Sequence, residues 1–452
     1  MTESADTQTS KRRLELLTRA LDSGAASQIR NLLGTLHSAE IADLIESIPH
    51  GPRELLWELV DPEDHGEILV QVNDEVRAGL IGEMETEALI AATEDMDVDD
   101  LADLIKDLPD AVTREVLRAM DKQNRDRLTS VLHYPGDTAG GLMNVDVVTV
   151  RADVTLDVVL RYLRLYIDIP ASTDSLFVVA RDDNFKGVLT LSALLTNDPD
   201  ILVAEVMDSD IAGIPADMPD TEVARMFENH NLVSAPVLGD EGKLIGRITI
   251  DDVVDVIRED ADHSLLSLAG LDEEDDTFAP VIKSARRRAL WLGVNLFTAF
   301  LASWVIGLFQ ATIEQVVALA VLMPIVASMG GIAGSQTLII VIRGLALGQI
   351  GISNARWLMY KELAVSALNG IAWAMVVAVI SALWFKNPDI GYIIGAALVI
   401  NLLCAALAGL AIPFVLTRLN IDPAHAGTVL LTTVTDVVGF LVFLGLGTMF
   451  LL

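Results

Sequence analysis

The sequence predicts a multidomain membrane protein: an acidic α-helical solenoid, a twice-repeated α/β module, an acidic connecting helix and a transmembrane domain of five helices. Three observations carry this. Charge divides the 452 residues in two, because residues 1–285 hold 59 of the 64 acids against 23 Lys and Arg. That is a net of −36, whereas residues 286–452 carry +3. The hydrophobic period also changes along the chain, from helical to strand-and-helix to long apolar runs. Finally, one carboxylate, Asp436, lies well inside an apolar stretch of membrane length. Placing a charge at the bilayer centre costs about 2.5–3.5 kcal/mol on insertion scales, so such a group is expected to face a bundle interior or a watery path.

An N-terminal half this acidic repels nucleic acid and anionic lipid head groups and attracts metal cations. One cysteine, Cys404, excludes an intrachain disulfide and a cysteine zinc cluster. Residues 1–14 are polar and read as a disordered N-terminus with no secretory leader. The chain shows no phosphate loop and no Ser/His/Asp constellation, which argues against an enzyme.

Residues 15–132 form the acidic helical-repeat domain. Ile41, Leu44, Ile45 and Ile48 recur at helical spacing before Pro49; Leu101, Leu104, Ile105 and Leu108 repeat the pattern before Pro109. Arg53-Glu54-Leu55-Leu56 then corresponds to Arg114-Glu115-Val116-Leu117. Such self-similar helices bury their faces by stacking.

Residues 137–200 and 201–258 contain one pattern twice. Val147–Val150, a helix over 155–164, Phe177–Ala180 and Gly187–Thr190 form the first copy; Ile211–Ile214, a helix over 221–228, Ala235–Leu238 and Gly246–Thr249 form the second. This arrangement resembles a pair of CBS domains, a nucleotide-sensing module. The resemblance implies that Thr249 and Asp252 contact the ribose of ATP or another adenine nucleotide. The first copy has Thr190 but Ala193 in place of the acid, so one competent cleft is expected.

Residues 259–285 complete an acidic connecting helix and loop. Asp252, Asp255 and Glu259 share a helical face by their spacing, and repel one another unless a cation intervenes. Asp272-Glu273-Glu274-Asp275-Asp276 reads as a solvated loop.

The transmembrane domain occupies residues 286–452. Five stretches can span about 30 Å of hydrocarbon: Ala289–Phe309, Val316–Val341, Trp357–Phe385, Ile390–Leu416 and Ala426–Leu452. Arg286, Arg287, Arg288, Arg343, Arg356, Lys361 and Arg418 place the N-terminus inside and the C-terminus outside. Pro324 and the glycines Gly330, Gly331 and Gly334 are expected to interrupt the second span. Its backbone would then line a pore, or its small residues would pack against a neighbouring helix. Asn295, Asn369 and Asn401 read as interhelical glue.

This order of parts resembles the MgtE magnesium channels from about residue 30 to 452. The motifs are Tyr134 to Met143, Pro324 to Gln336 with Arg343-Gly344-Leu345-Ala346, and Thr432 to Gly439. The resemblance implies a homodimer in the inner (plasma) membrane, in contact with lipid. It implies selection of a hydrated divalent cation, magnesium, by Asp436 in Thr435-Asp436-Val437-Val438-Gly439. It also implies closure by magnesium at cytoplasmic sensor acids, here Asp252, Asp255 and Asp260. Two departures stand out: Ile332 replaces an asparagine of the second span, and His263 and Ser264 replace two acids of the connecting helix. A cobalt or broader divalent cation transporter, and a non-conducting membrane-anchored metal or nucleotide sensor, are the alternatives.

Overall fold

The computed structural model describes residues 5–452 apart from 94–95, 109, 166–168, 171, 269 and 272–275. It divides into two compact units, residues 1–262 with 274–280, and residues 263–273 with 281–452.

In the first unit, short helices stack from Ala5–Ser23 to Lys122–Val131. Both copies of the sequence repeat turn inward: Ile41, Leu44, Ile45 and Ile48, and Leu101, Leu104, Ile105 and Leu108, are all buried. Helix begins well before residue 15, contrary to the expected disordered terminus. Leu17 is completely buried, Leu14 and Leu21 pack on the same core, and Arg13 pairs with Glu40. A polar start therefore concealed a helix held by its apolar stripe, which is how most short helices are stabilised.

Two three-stranded sheets follow. Thr149–Arg151, Ser175–Val179 and Phe185–Thr190 form the first; Ile214–Pro215, Ser234–Leu238 and Leu244–Thr249 form the second. In each, the first pair is parallel and the second antiparallel. The registers match as well: Ser175 opposes Thr190 and Ser234 opposes Thr249. The hydroxyls of Ser175 and Ser234, 59 residues apart, meet at 3.2 Å. Equivalent atoms in contact mark a local two-fold relation between the copies. The last strand runs directly into the connecting helix, Ile250–Ser267.

In the second unit, five helices are long and apolar enough to cross a membrane among the described residues. They are Val281–Gly307, Val317–Ala346, Ile352–Phe385, Pro388–Arg418 and Pro423–Leu451. The second span is not interrupted, contrary to expectation. Pro324 removes one amide donor, and the helix continues through Gly330, Gly331 and Gly334 to Ala346. Membrane helices tolerate proline where neighbours and small adjustments satisfy the freed carbonyl. The glycine carbonyls thus lie within a helix, and Gly330 and Gly334 face close neighbours. A Cβ on Gly334 would lie 2.9 Å from Leu431, and one on Gly409 would lie 2.7 Å from the Gly334 carbonyl.

Truncating the buried Leu17 to alanine should lower the stability of the helical domain by about 2–5 kcal/mol, the usual cost of a core leucine. Thermal or urea unfolding measures this, and a loss below about 0.5 kcal/mol, typical of surface positions, would mean that the first helix is undocked.

Candidate functional site

The first candidate region is an acidic seam within the first unit. Asp97 is the N-cap of helix Val98–Asp107, and Asp99 and Asp100 occupy its first turn. Acids are favoured there because the helix leaves amide groups unbonded. Their carboxylate oxygens all lie within 4.8 Å of one another. The Asn144 side chain donates to Asp99 at 3.2 Å. The connecting helix contributes Asp252, whose carboxylate accepts from the Thr249 amide at 3.1 Å and its hydroxyl at 3.0 Å.

Electrostatics show how these groups oppose one another. Burial, then the charges of Asp252, Asp100 and Asp97, push the Asp99 carboxyl up to about 8. Burial together with Asp97 and Asp252 raises Asp100 to about 7. Burial raises Asp252 to about 6, with Asp251 and Asp255 adding to it and the Thr249 hydrogen bonds opposing it. Asp255 is raised by desolvation, with Arg258 opposing and Asp251 adding. Desolvation raises Glu259, and Asp255, Asp103 and Asp220 reinforce the shift against Arg77. Asp260 is exposed, and its charge helps raise Asp220. Asp252 thus acts directly on the Asp99 and Asp100 carboxyls, whereas Asp255 acts on Asp252 and Glu259, and Asp260 acts on Asp220. An all-oxygen donor set with unmatched negative charge fits hard divalent cations such as magnesium. Asp97, Asp99 and Asp100 were not singled out in the sequence, where acids in a first turn look like an ordinary helix start.

The nucleotide residues are placed differently. Thr249 is buried, and its hydroxyl is spent on Asp252. A ribose would have to displace that hydrogen bond. In the first copy, Thr190 instead caps its own helix by accepting from the Ala193 amide at 3.1 Å.

The second region is Asp436 in the second unit. It lies 13 residues after the start of Pro423–Leu451, roughly 20 Å along the axis at 1.5 Å per residue. That depth is well inside a hydrocarbon layer about 30 Å thick. Asp436 is half-buried, and no described residue forms an ion pair or hydrogen bond with its carboxylate. The neighbouring Thr435 is fully buried and donates to the Thr432 carbonyl of its own helix at 3.1 Å.

Behind Asp436, three spans converge on Asn401. This side chain is completely buried and donates to the Val326 carbonyl at 2.9 Å. A Cβ on Gly330 would lie 2.2 Å from the Asn401 amide nitrogen, and one on Gly439 would lie 2.8 Å from it. The two glycines therefore make room for one amide. Asn401 is interhelical glue, as expected, whereas Asn295 bonds the Trp291 carbonyl of its own helix and Asn369 is exposed. Nothing lies within 4 Å of a Cβ built on Gly331, and Ile332 is 57% exposed.

A second carboxylate escaped the sequence reading. Glu362 of the third span is 4% exposed. It accepts from the Thr337 hydroxyl of the second span at 3.2 Å and from Lys361 at 2.6 Å. Its position near one end of an apolar run disguised it as a flanking charge. His263, which replaces an acid of the connecting helix, approaches Asp422 at 3.4 Å.

Comparison with known proteins matches this architecture part by part. A family model described as "MgtE: Divalent cation transporter" covers residues 323–446, the MgtE intracellular N domain covers 36–137, and CBS domains cover 139–199 and 203–259. The chain belongs to the MgtE family. The magnesium transporter MgtE of Bacillus subtilis is 28% identical over 95% of this chain and 96% of its own. That of Thermus thermophilus is 29% identical over 96% and 98%. A crystal structure of the cytosolic domain of the Mg2+ channel MgtE in complex with ATP covers 54% of this chain and 99% of its own, at 29% identity and a TM-score of 0.49.

The seam of this MgtE protein predicts a pH signature. Asp99, Asp100 and Asp252 bind protons more tightly folded than unfolded, since their folded values of about 8, 7 and 6 exceed the ordinary aspartate value of about 3.9. The folded state therefore holds more protons between about pH 4 and pH 8, and stability falls as pH rises through that window. In chelator, the unfolding temperature of the N-terminal half should fall from pH 5 to pH 8. Millimolar magnesium should restore it most at pH 8, where the carboxylates are free to bind. A separate prediction concerns packing: Gly330→Ala should disturb the Asn401 contact and lower thermal stability by about 1–3 kcal/mol, the usual range for overpacking.

Proposed function

We propose that this protein conducts magnesium across the membrane as a homodimer, with the hydrated ion selected at Asp436 and flow reduced when magnesium fills the acidic seam. The observation that carries the reading is Asp436, a carboxylate at membrane depth without a protein counter-charge. Magnesium suits such a group because it sheds water reluctantly and is held through few carboxylates. Two copies of Asp436 across a two-fold axis would face one hydrated ion. The naming of the Bacillus subtilis and Thermus thermophilus relatives as magnesium transporters supports the choice of ion.

The seam supplies regulation by the same chemistry. Without divalent cations, the helical domain and the connecting helix present mutually repelling carboxylates. Magnesium removes that repulsion and favours the closed arrangement. On this reading the N-terminal half lies in the cytoplasm of a cell with an inner (plasma) membrane, where it measures the ion that the spans admit. Adenine nucleotide enters only as a competitor for Thr249 and Asp252, two groups already joined to each other.

Magnesium uptake into proteoliposomes tests the assignment. Asp436→Ala should reduce uptake by at least about tenfold, equivalent to roughly 1.4 kcal/mol of lost stabilisation at the limiting site. Undiminished uptake by that variant would remove Asp436 from the path. Equal wild-type fluxes of cobalt and magnesium would support the broader divalent reading.

A further inference from the structure

Asp276 ends the acidic run that reads as a solvated loop, yet it is buried. Its side chain is 5% exposed and that of Arg53 is 8% exposed. Arg53 donates from Nη1 to Asp276 Oδ2 at 2.8 Å and from Nη2 to Asp276 Oδ1 at 3.2 Å. This two-pronged pairing matches a planar guanidinium to a carboxylate. The remaining donors of Arg53 are also engaged: Nε donates to the Ile45 carbonyl at 3.0 Å, and Nη2 donates to the Ile48 carbonyl at 3.1 Å. Ile45 lies in the last turn of Ser38–Glu46, where a helix leaves carbonyls without intrahelical partners. The end of one helix thus orients the guanidinium, whose free edge receives the carboxylate. The backbone of the docked segment is fixed too. The Asp276 amide donates to Glu75 at 3.0 Å, and the Phe278 amide donates to Asp276 at 2.9 Å.

We propose that Arg53 forms a carboxylate-binding site in the helical domain, and that its ligand is Asp276 of this chain. The site acts as a latch on the segment leading into the first span. Only four residues separate Asp276 from Val281, where that helix begins. The latch gives the helical domain a covalent route to the membrane half that is separate from the connecting helix. A buried ion pair contributes little net stability, because desolvation offsets its attraction. It does specify one docking geometry, because a carboxylate of this kind fits where other side chains leave Arg53 unpaired. Arg53 and Asp276 lie 223 residues apart, so the pair cannot arise from local chain preference. In this role they are positioning residues for closure, a function that rests on the magnesium-gating reading above.

Full-length protein in detergent and in proteoliposomes provides the test, with Asp276→Asn and Asp276→Ala compared with wild type. Hydrogen exchange reads the docking directly. Residues 276–280 should be protected in wild type and exchange at least about tenfold faster in Asp276→Ala, as expected for a locally released segment. Protection of Ser38–Glu46 should be unchanged, which shows that the helical domain remains folded. Magnesium uptake reads the coupling. Both variants should match wild type at low magnesium but require about fivefold more internal magnesium for half-inhibition, the lower end of typical coupling between sites. Unprotected wild-type residues 276–280 would overturn the latch. So would unshifted inhibition in a variant that has lost protection. If wild-type uptake shows no magnesium inhibition, the gating reading fails by itself, while exchange still decides whether Asp276 docks.

Discussion

Carboxylates without counter-charges organise both halves of this protein. A negative charge taken out of water is costly, and a second one nearby makes the cost larger. In the first unit, Asp99, Asp100 and Asp252 meet under partial burial, and each is driven towards its protonated form. In the second unit, Asp436 lies at membrane depth with no described partner. Both arrangements carry a cost as bare protein that a small, hard cation would relieve. On the proposed function, one ion would connect transport with sensing, because the same hard cation would answer both requirements.

The contrast with Arg53 and Asp276 sharpens this point. That pair is buried as deeply as any carboxylate in the seam, but its charge is matched by a guanidinium with fork geometry. Glu362 is likewise matched, by Lys361 and the Thr337 hydroxyl. The protein supplies its own cations where a contact holds structure together. No such cation stands against Asp99, Asp100, Asp252 or Asp436 among the described residues. Matched and unmatched carboxylates therefore separate fixed joints from places where an ion can alter the energy.

Patterns repeated within the sequence were legible, whereas contacts between distant residues were not. The helical repeat, the duplicated α/β module and the five apolar runs each leave a periodic trace, so their cores could be named from spacing. Asp436 stands out in the sequence as one charge against apolar surroundings, and the structure places it half-buried on the last long helix. Asp97, Asp99 and Asp100 were not, because the first turn of a helix favours acids whether or not they face anything. Asp276 looked like part of a solvated run because its partner is 223 residues away. Pro324 and its following glycines suggested a break; packing in the bundle keeps them helical. In each missed case, tertiary contact overrode the local chemical signal.

The two copies of the α/β module show how a small sequence difference directs this chemistry. They share strand order and register, and their equivalent serines touch. The divergence lies just after the last strand. In the first copy, Thr190 bonds the Ala193 amide and closes its helix with an uncharged cap. In the second, the equivalent position is Asp252, which takes both the amide and the hydroxyl of Thr249. Those bonds oppose the rise in the Asp252 carboxyl but do not cancel it, because Asp251 and Asp255 lie on the same helix. One acid thus fastens the connecting helix to its sheet and presents negative charge to Asp99 and Asp100. A neutral residue at 252, as at 193 in the first copy, would keep the fold and remove that coupling. The asymmetry of the pair, more than its duplication, therefore sets the charge that the second copy presents to Asp99 and Asp100.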